Sequence, residues 1–182
     1  MNPNGRRSNH CRIKGTIMDL LDRLLAHDVW STNQLLFQSK SLTDSQLDKP
    51  FDVDSRTLRG CFIHIIQAME IWNDLLYERP VRSSSELKAK LQSLDGLMTR
   101  LGDAGDELAV ISKKVDREDR WDDVFTDILD NPPQKKTFGG TIAHIITHSM
   151  HHRAQAMYMM EQLGIRDHIE GDVLSWEMTV HD

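Results

Sequence analysis

The chain is 182 residues long, 39% hydrophobic and 27% charged, with a formal net charge of -6. That length suits a single domain able to bury its own core, and the acidic balance excludes the broad basic field used to grip nucleic acid. No apolar run approaches the roughly 18 residues that suggest a membrane span, and Cys11 and Cys61 stand in neither metal nor redox spacing, so no membrane partner is expected and a reducing cytoplasm fits.

Residues 1–15, MNPNGRRSNHCRIKG, are polar and basic and lack the apolar middle of a secretion signal. They are expected to be a disordered tail, leaving 16–182 as one domain. Ile17, Leu20, Leu21, Leu24, Leu25, Trp30, Leu35 and Leu36 recur near the helical period and predict a helix over 16–39. SLTDSQLDKPFDVDS breaks it, and the loop is long enough to cross a bundle. Leu58, Cys61, Phe62, Ile65, Met69, Trp72 and Leu76 predict a second helix, which Pro80 is expected to end. Ser83–Glu86 reads as an N-cap with an acidic first turn. A third helix then follows Leu87, Leu91, Leu94, Met98 and Leu101, weakened at Gly102 and Gly105 but continuing to about Lys114. WDDVFTDILD, the NPP turn and KKTF suggest a short hairpin. A fourth helix runs from FGG to Gly164, a residue suited to a positive-φ helix end. The remainder, 165–182, reads as a loop packed over the bundle. Four long helices without βαβ alternation give an all-α four-helix bundle.

The densest chemistry lies in HIITHSMHHRAQ, residues 144–155, which holds His144, His148, His151 and His152 of the chain's 9 histidines. A helix turns about 100° per residue, so positions four apart share a face. His144, His148 and His152 therefore form one stripe, with His151 at its edge. Two imidazoles at i and i+4 can converge on one metal ion, but a third ligand must come from another element. His64, inside LRGCFIHIIQAMEIW, and His27, inside LLAHDVWSTN, are the candidates. Each residue also has an ordinary reading. A histidine such as His64 serves more often as a hydrogen-bonded core residue. His151 suits the surface or a supporting place, Met150, Met157, Met159 and Met160 suit core filling, Arg153 suits a salt bridge, and Asp28 and Asp74 suit solvated carboxylates.

Three segments, in order, resemble the DinB family of four-helix-bundle metalloenzymes, grouped with the YfiT-like proteins. LLAHDVWSTNQLL is similar to the family's first-helix pattern, and TLRGCFIHIIQAMEIW to the second. IAHIITHSMHHRAQAMYMMEQLG is similar to the fourth, H-x-x-x-H-x-x-x-H-R-x-Q ending in L-G, with Ala154 where glycine is common. The resemblance spans roughly residues 16–165. It implies that His64, His148 and His152 bind one divalent metal inside the bundle; imidazole ligands suit zinc, nickel, copper or iron, with zinc or nickel foremost. It also implies crossed rather than simple up-down connections, a hairpin before the last helix, and a homodimer.

Three neutral imidazoles leave coordination positions open, which is the composition of a catalytic site. An ion so held lowers the pKa of bound water to about 7 or binds a thiolate. The implied activities are a hydrolase, or a transferase or isomerase using a low-molecular-weight thiol, each acting on a small-molecule substrate. A non-catalytic metal-binding protein or a dimeric stress-related interaction protein is the alternative. Glu70, six residues past His64, faces away from it. Gln67 and Gln155, each three residues past a ligand, and His27 and His144 are the supporting candidates, orienting ligands or relaying protons.

Overall fold

The long helices begin where a short polar side chain can accept an otherwise orphaned backbone N–H. In the computed structural model, which describes residues 11–13, 16–53, 56–83, 92–167, 169 and 171–181, α1 spans Leu20–Gln38 and opens with Asp19 accepting from the Asp22 N–H at 2.8 Å. A short α2, Asp44–Leu47, carries a capping box between Thr43 and Gln46. Thr57 caps α3, Leu58–Leu76, through the Gly60 N–H at 2.9 Å. Ser93 caps α4, Leu94–Arg117, through Gly96 at 3.1 Å, and Thr137 caps α5, Phe138–Gln162, through Gly140 at 3.0 Å. A last helix, α6, covers Val173–His181.

Around the bundle, α1 packs on α4 and α5, and α3 packs on the same two. The cyclic order is therefore α1, α4, α3, α5, so the sequence neighbours α1 and α3 occupy opposite corners. Both crossings this requires are made by irregular segments, the one holding α2 and the one holding a hairpin. A strand pair, β1 (Cys11–Ile13) with β2 (Thr16–Met18), precedes α1. The crossing hairpin pairs β3, Val124–Asp127, antiparallel with β4, Gln134–Thr137. Phe125 points inward from β3 and meets Phe138 edge-on, anchoring the hairpin beside the start of α5. The core is a continuous cluster including Leu36, Phe62, Leu97, Leu101, Val115 and Met159. No described helix is long and apolar enough to cross a membrane.

The sequence expectations are met in fold class, in crossed connections and in the hairpin, and differ at five places. The first helix opens at Leu20 and not at 16, because Thr16–Met18 pairs as β2 and Asp19 caps the helix. The 165–182 segment is not all loop: Asp172 accepts from Leu174 N at 2.7 Å and Ser175 N at 3.0 Å, starting α6. That helix packs on α1 and buries Trp176. The second helix stops at Leu76, short of Pro80, because Glu78 adopts a positive φ of 53°. The third helix starts from Ser93; of the expected cap at Ser83–Glu86 only Ser83 is among the described residues, and helical positions Leu87 and Leu91 lie outside them. Asp28 and Asp74 are buried at 1% and 2% exposure, not solvated. Most of the expected disordered tail also falls outside the described residues, apart from Cys11–Ile13.

A belt of charge ties α3 to α4. Glu70 accepts from Arg100 at 2.8 Å, Arg79 reaches Glu107 at 2.6 Å, and Asp74 accepts from both Arg79 and Arg82 at 2.6 Å. Burial alone would raise the Asp74 carboxyl, but the Arg82 and Arg79 hydrogen bonds overcome it and hold it at about 2. At Gly105, where α4 approaches α1, an added Cβ would run into Val29 Cγ2, while at Gly102 nothing lies within 4 Å.

The two glycines should respond oppositely to the same change. Gly105→Ala should lower stability by roughly 1–3 kcal/mol through overpacking, because a β-branched valine on a helix has little rotamer freedom. Gly102→Ala should raise it by about 0.5–1 kcal/mol; urea denaturation of both variants checks the contrast. The unfolded Asp74 titrates near its ordinary 3.8 and the folded one at about 2, so its contribution is complete above that ordinary value and is lost as pH falls through the folded one. Thermal melts between pH 5 and 2, taken as a rough bracket of both values, should show a shallower decline for Asp74→Asn than for the wild type.

Candidate metal centre

His64 lies on the face of α3 turned toward α5, and His148 and His152 lie one turn apart on the facing side of α5. The three ring nitrogens that could serve as ligands fall within 4.8 Å of one another. His64 Nε2 and His148 Nε2 are 3.1 Å apart. The His152 ring sits 4.5 Å from that of His64 and 4.4 Å from that of His148, centroid to centroid. Two imidazoles on one tetrahedral zinc, each bonded at about 2.0–2.1 Å, place their nitrogens about 3.3–3.4 Å apart, so the side chains stand close to ligand spacing. His152 is buried, and His64 and His148 are half-buried.

The surroundings prepare the rings for ligation. Gln155 Oε1, an acceptor only, accepts from the His152 Nδ1–H at 2.6 Å. That fixes the tautomer and leaves Nε2 as the unprotonated nitrogen, the one free to take a metal. The buried Cys61 thiol donates from Sγ to the His152 carbonyl at 3.3 Å, tying α3 to α5 at the site. His148 is pushed down to about 4, first by burial and then by the neighbouring His152, His64, His144 and Arg56 charges. It is therefore neutral at neutral pH, the form that binds metal. The donor set thus fits a divalent ion with an affinity for imidazole.

The other candidates separate. His144 lies one turn before His148, 5.4 Å between ring centroids, and meets Trp72 edge-on at 5.6 Å. Both His144 and Trp72 line a cavity of about 450 Å³ together with Lys135, Lys136 and Thr141. Gln155 is brought to the centre; Gln67 is half-buried one turn past His64. His27 is placed elsewhere: its Nε2 bonds the Gly171 carbonyl at 2.8 Å, and its ring lies between Trp30 and Trp176. It lines a different cavity, with Met150, Arg153 and Val173. His151 is exposed and contacts Gln155 at 3.2 Å.

Arg153 pairs with Asp28 on α1 and also reaches Thr32 Oγ1 at 3.2 Å, all three buried. Burial pushes the Asp28 carboxyl up, against the lowering pull of Arg153. Glu70 is turned to Arg100, away from the histidines. Arg56, not singled out from sequence, contributes charge to the centre; nothing in its local pattern marks it, since it simply precedes the cap of α3.

The DinB family model matches residues 16–170. A crystal structure of a putative member of that family from Exiguobacterium sibiricum 255-15 superposes with a TM-score of 0.60 at 17% identity, covering 84% of this chain and 95% of that one. A DinB-like protein from Bacillus cereus ATCC 10987 gives 0.59 at 16% identity, covering 79% and 91%. No curated protein matches the chain. Replacing Gln155 by Ala should weaken metal binding about 10–100-fold, the usual effect of removing a partner that orients a ligand; competition against a chromogenic chelator measures it.

Proposed function

The chain belongs to the DinB family, and we propose that it is a metal-dependent enzyme acting on a small molecule, with one divalent ion, zinc or nickel, held by His64, His148 and His152. The observation that carries this reading is the convergence of three imidazoles from two helices, with Gln155 holding one of them in the ligating tautomer. Three ligands leave positions for water or substrate, unlike a closed structural site. When bound, the ion supplies a Lewis acid suited either to hydrolysis or to chemistry on a low-molecular-weight thiol.

The chain's own residues define the rest of the proposed site. His144 lies between the ligand rings and the Trp72 cavity, where it can pass a proton between the two. Lys135 and Lys136 add positive charge to the same cavity, while Trp72 offers an aromatic wall. Such a mixed apolar and cationic recess suits a small organic substrate. The protein works in the cytoplasm as a homodimer in this reading. The exposed apolar side chains Met150, Tyr158, Leu174 and Met178 on α5 and α6 support pairing between copies.

Native mass spectrometry after purification without chelator should show one metal ion per chain, and added zinc or nickel should raise the melting temperature. His148→Ala should abolish both effects, since two imidazoles seldom retain an ion. A wild-type chain that takes up no metal refutes the proposal. Light scattering checks the dimer separately.

A further inference from the structure

A cavity of about 390 Å³ opens between α1, α5 and the segment that leads into α6. Its floor lies deep: Leu35 and Ser31 of α1 are 2% and 1% exposed, and Arg153 of α5 is 5% exposed. Met150 and Ala154 stand exposed at its mouth, with Met157 beside them. Gly171 and Val173 form the far wall. That wall is tethered to α1. The His27 Nε2–H donates to the Gly171 carbonyl at 2.8 Å, Arg23 pairs with Glu177, and the buried Trp176 meets the His27 ring edge-on. The space is therefore formed before any ligand arrives, and it falls in the size range of small-molecule pockets.

The polar groups around this space are engaged elsewhere, except in one place. Ser31 gives its hydroxyl proton to the His27 carbonyl at 2.8 Å. Asp172 at the rim accepts from the α6 backbone at Leu174 and Ser175. Arg153 directs Nη1 at the Asp28 carboxylate, the Asp28 carbonyl and Thr32 Oγ1, and every hydrogen bond it makes within the described residues leaves from that nitrogen. Nε and Nη2 keep their N–H groups for whatever occupies the cavity. A guanidinium this deeply buried with donors unused is uncommon, because it has given up water and been compensated on one side alone. Charge then narrows the occupant. Asp28 already neutralises Arg153, and Asp172 stands at the rim, so an incoming anion meets two acids and one base. An incoming cation meets the guanidinium. An uncharged molecule with an acceptor oxygen meets the unused donors and leaves no charge unpaired.

We propose that this cavity is a second small-molecule site, taking an uncharged, largely apolar molecule whose ketone, ester or amide oxygen accepts from the Arg153 guanidinium. The apolar body packs between Leu35, Met157 and Val173, where a methionine adapts to irregular shapes. The metal reading plays no part in this, since none of His64, His148 and His152 lines the cavity. Met150 at the mouth also belongs to the face proposed for pairing, so a second copy is the rival occupant. The depth of the floor and the unused donors there favour the small molecule, because a partner's surface covers a mouth more readily than it reaches a buried guanidinium.

The full chain titrated with prodan tests this, a neutral naphthyl ketone whose emission moves to the blue in apolar surroundings. Wild-type protein should give a saturable blue shift. Ala154→Phe at the mouth and Val173→Phe on the far wall should each weaken dye binding by about tenfold or more through overpacking. Melting curves without dye show that each variant folds, and where one does not, the other decides. A competition series needs no variant. Acetylnaphthalene should displace the dye from wild-type protein. Ethylnaphthalene, which lacks the acceptor, and naphthoate, which is charged, should compete about tenfold less well or worse, the loss expected for a hydrogen bond to a charged group. No saturable shift, or dye binding untouched by the folded substitutions, overturns the inference. So does ethylnaphthalene or naphthoate competing as well as the ketone. Dye binding that fades as light scattering shows the chain pairing also overturns it, because a second copy then fills the cavity.

Discussion

The buried pair between Arg153 and Asp28 fixes how α5 is turned, and the site depends on that turn. In the cyclic order α1, α4, α3, α5, helix α5 has α1 on one side and α3 on the other, close to a right angle apart as at any corner of a four-helix bundle. Successive helical residues point about 100° apart. Arg153 directed at Asp28 on α1 therefore directs His152 at α3, where His64 waits. His148, one turn earlier, follows on the same face. Rotating α5 by even one residue would bury an unpaired guanidinium and an unpaired carboxylate, a cost of several kcal/mol by the usual measure of broken buried pairs. Such a pair adds little net stability compared with apolar packing; its contribution here is register.

A second belt of charge does comparable work on the opposite side. Glu70 and Asp74 leave α3 on the face turned from the histidines and meet Arg100, Arg79 and Arg82. Asn73 adds a bond from its side-chain amide to the Ala104 carbonyl at 2.8 Å. So α3 is pinned by polar contacts to α4 and presents imidazole to α5. Its rotation is set on two faces at once, which lets His64 meet His148 and His152 from a different helix.

Periodicity is what makes this molecule legible in its sequence. The apolar stripes locate the four long helices, and the i, i+4 spacing alone puts His148 and His152 on one face. Gln155 emerges from the same arithmetic. What periodicity cannot show is which charged residue finds a buried partner. Asp28 and Asp74 look like ordinary helix-surface acids, and only arginines folded against them make burial tolerable, Arg153 from far along the chain for Asp28 and Arg79 and Arg82 from the turn just after α3 for Asp74. The α6 helix escapes a sequence reading because Val173, Leu174, Trp176, Met178 and Val180 mix two periods over nine residues, too short a stretch for its stripe to stand out. For His27 the spacing on α1 says nothing of its partner, the Gly171 carbonyl, which comes from 144 positions along the chain. Arg56 carries no pattern at all, since its environment is created by the fold.

The edge-on contact between Trp72 and His144 gives the protein an internal optical gauge. The indole stands 5.6 Å from the His144 ring, which is itself 5.4 Å from that of His148. An aromatic ring responds to nearby charge through its quadrupole, so this indole is placed to sense charge on the histidine cluster. Trp176, against His27, reports instead on the seating of the C-terminal helix. Of the chain's four tryptophans these two stand on different faces of one bundle, so variants keeping only Trp72 or only Trp176 would separate events at the centre from events at the chain's end without an added label.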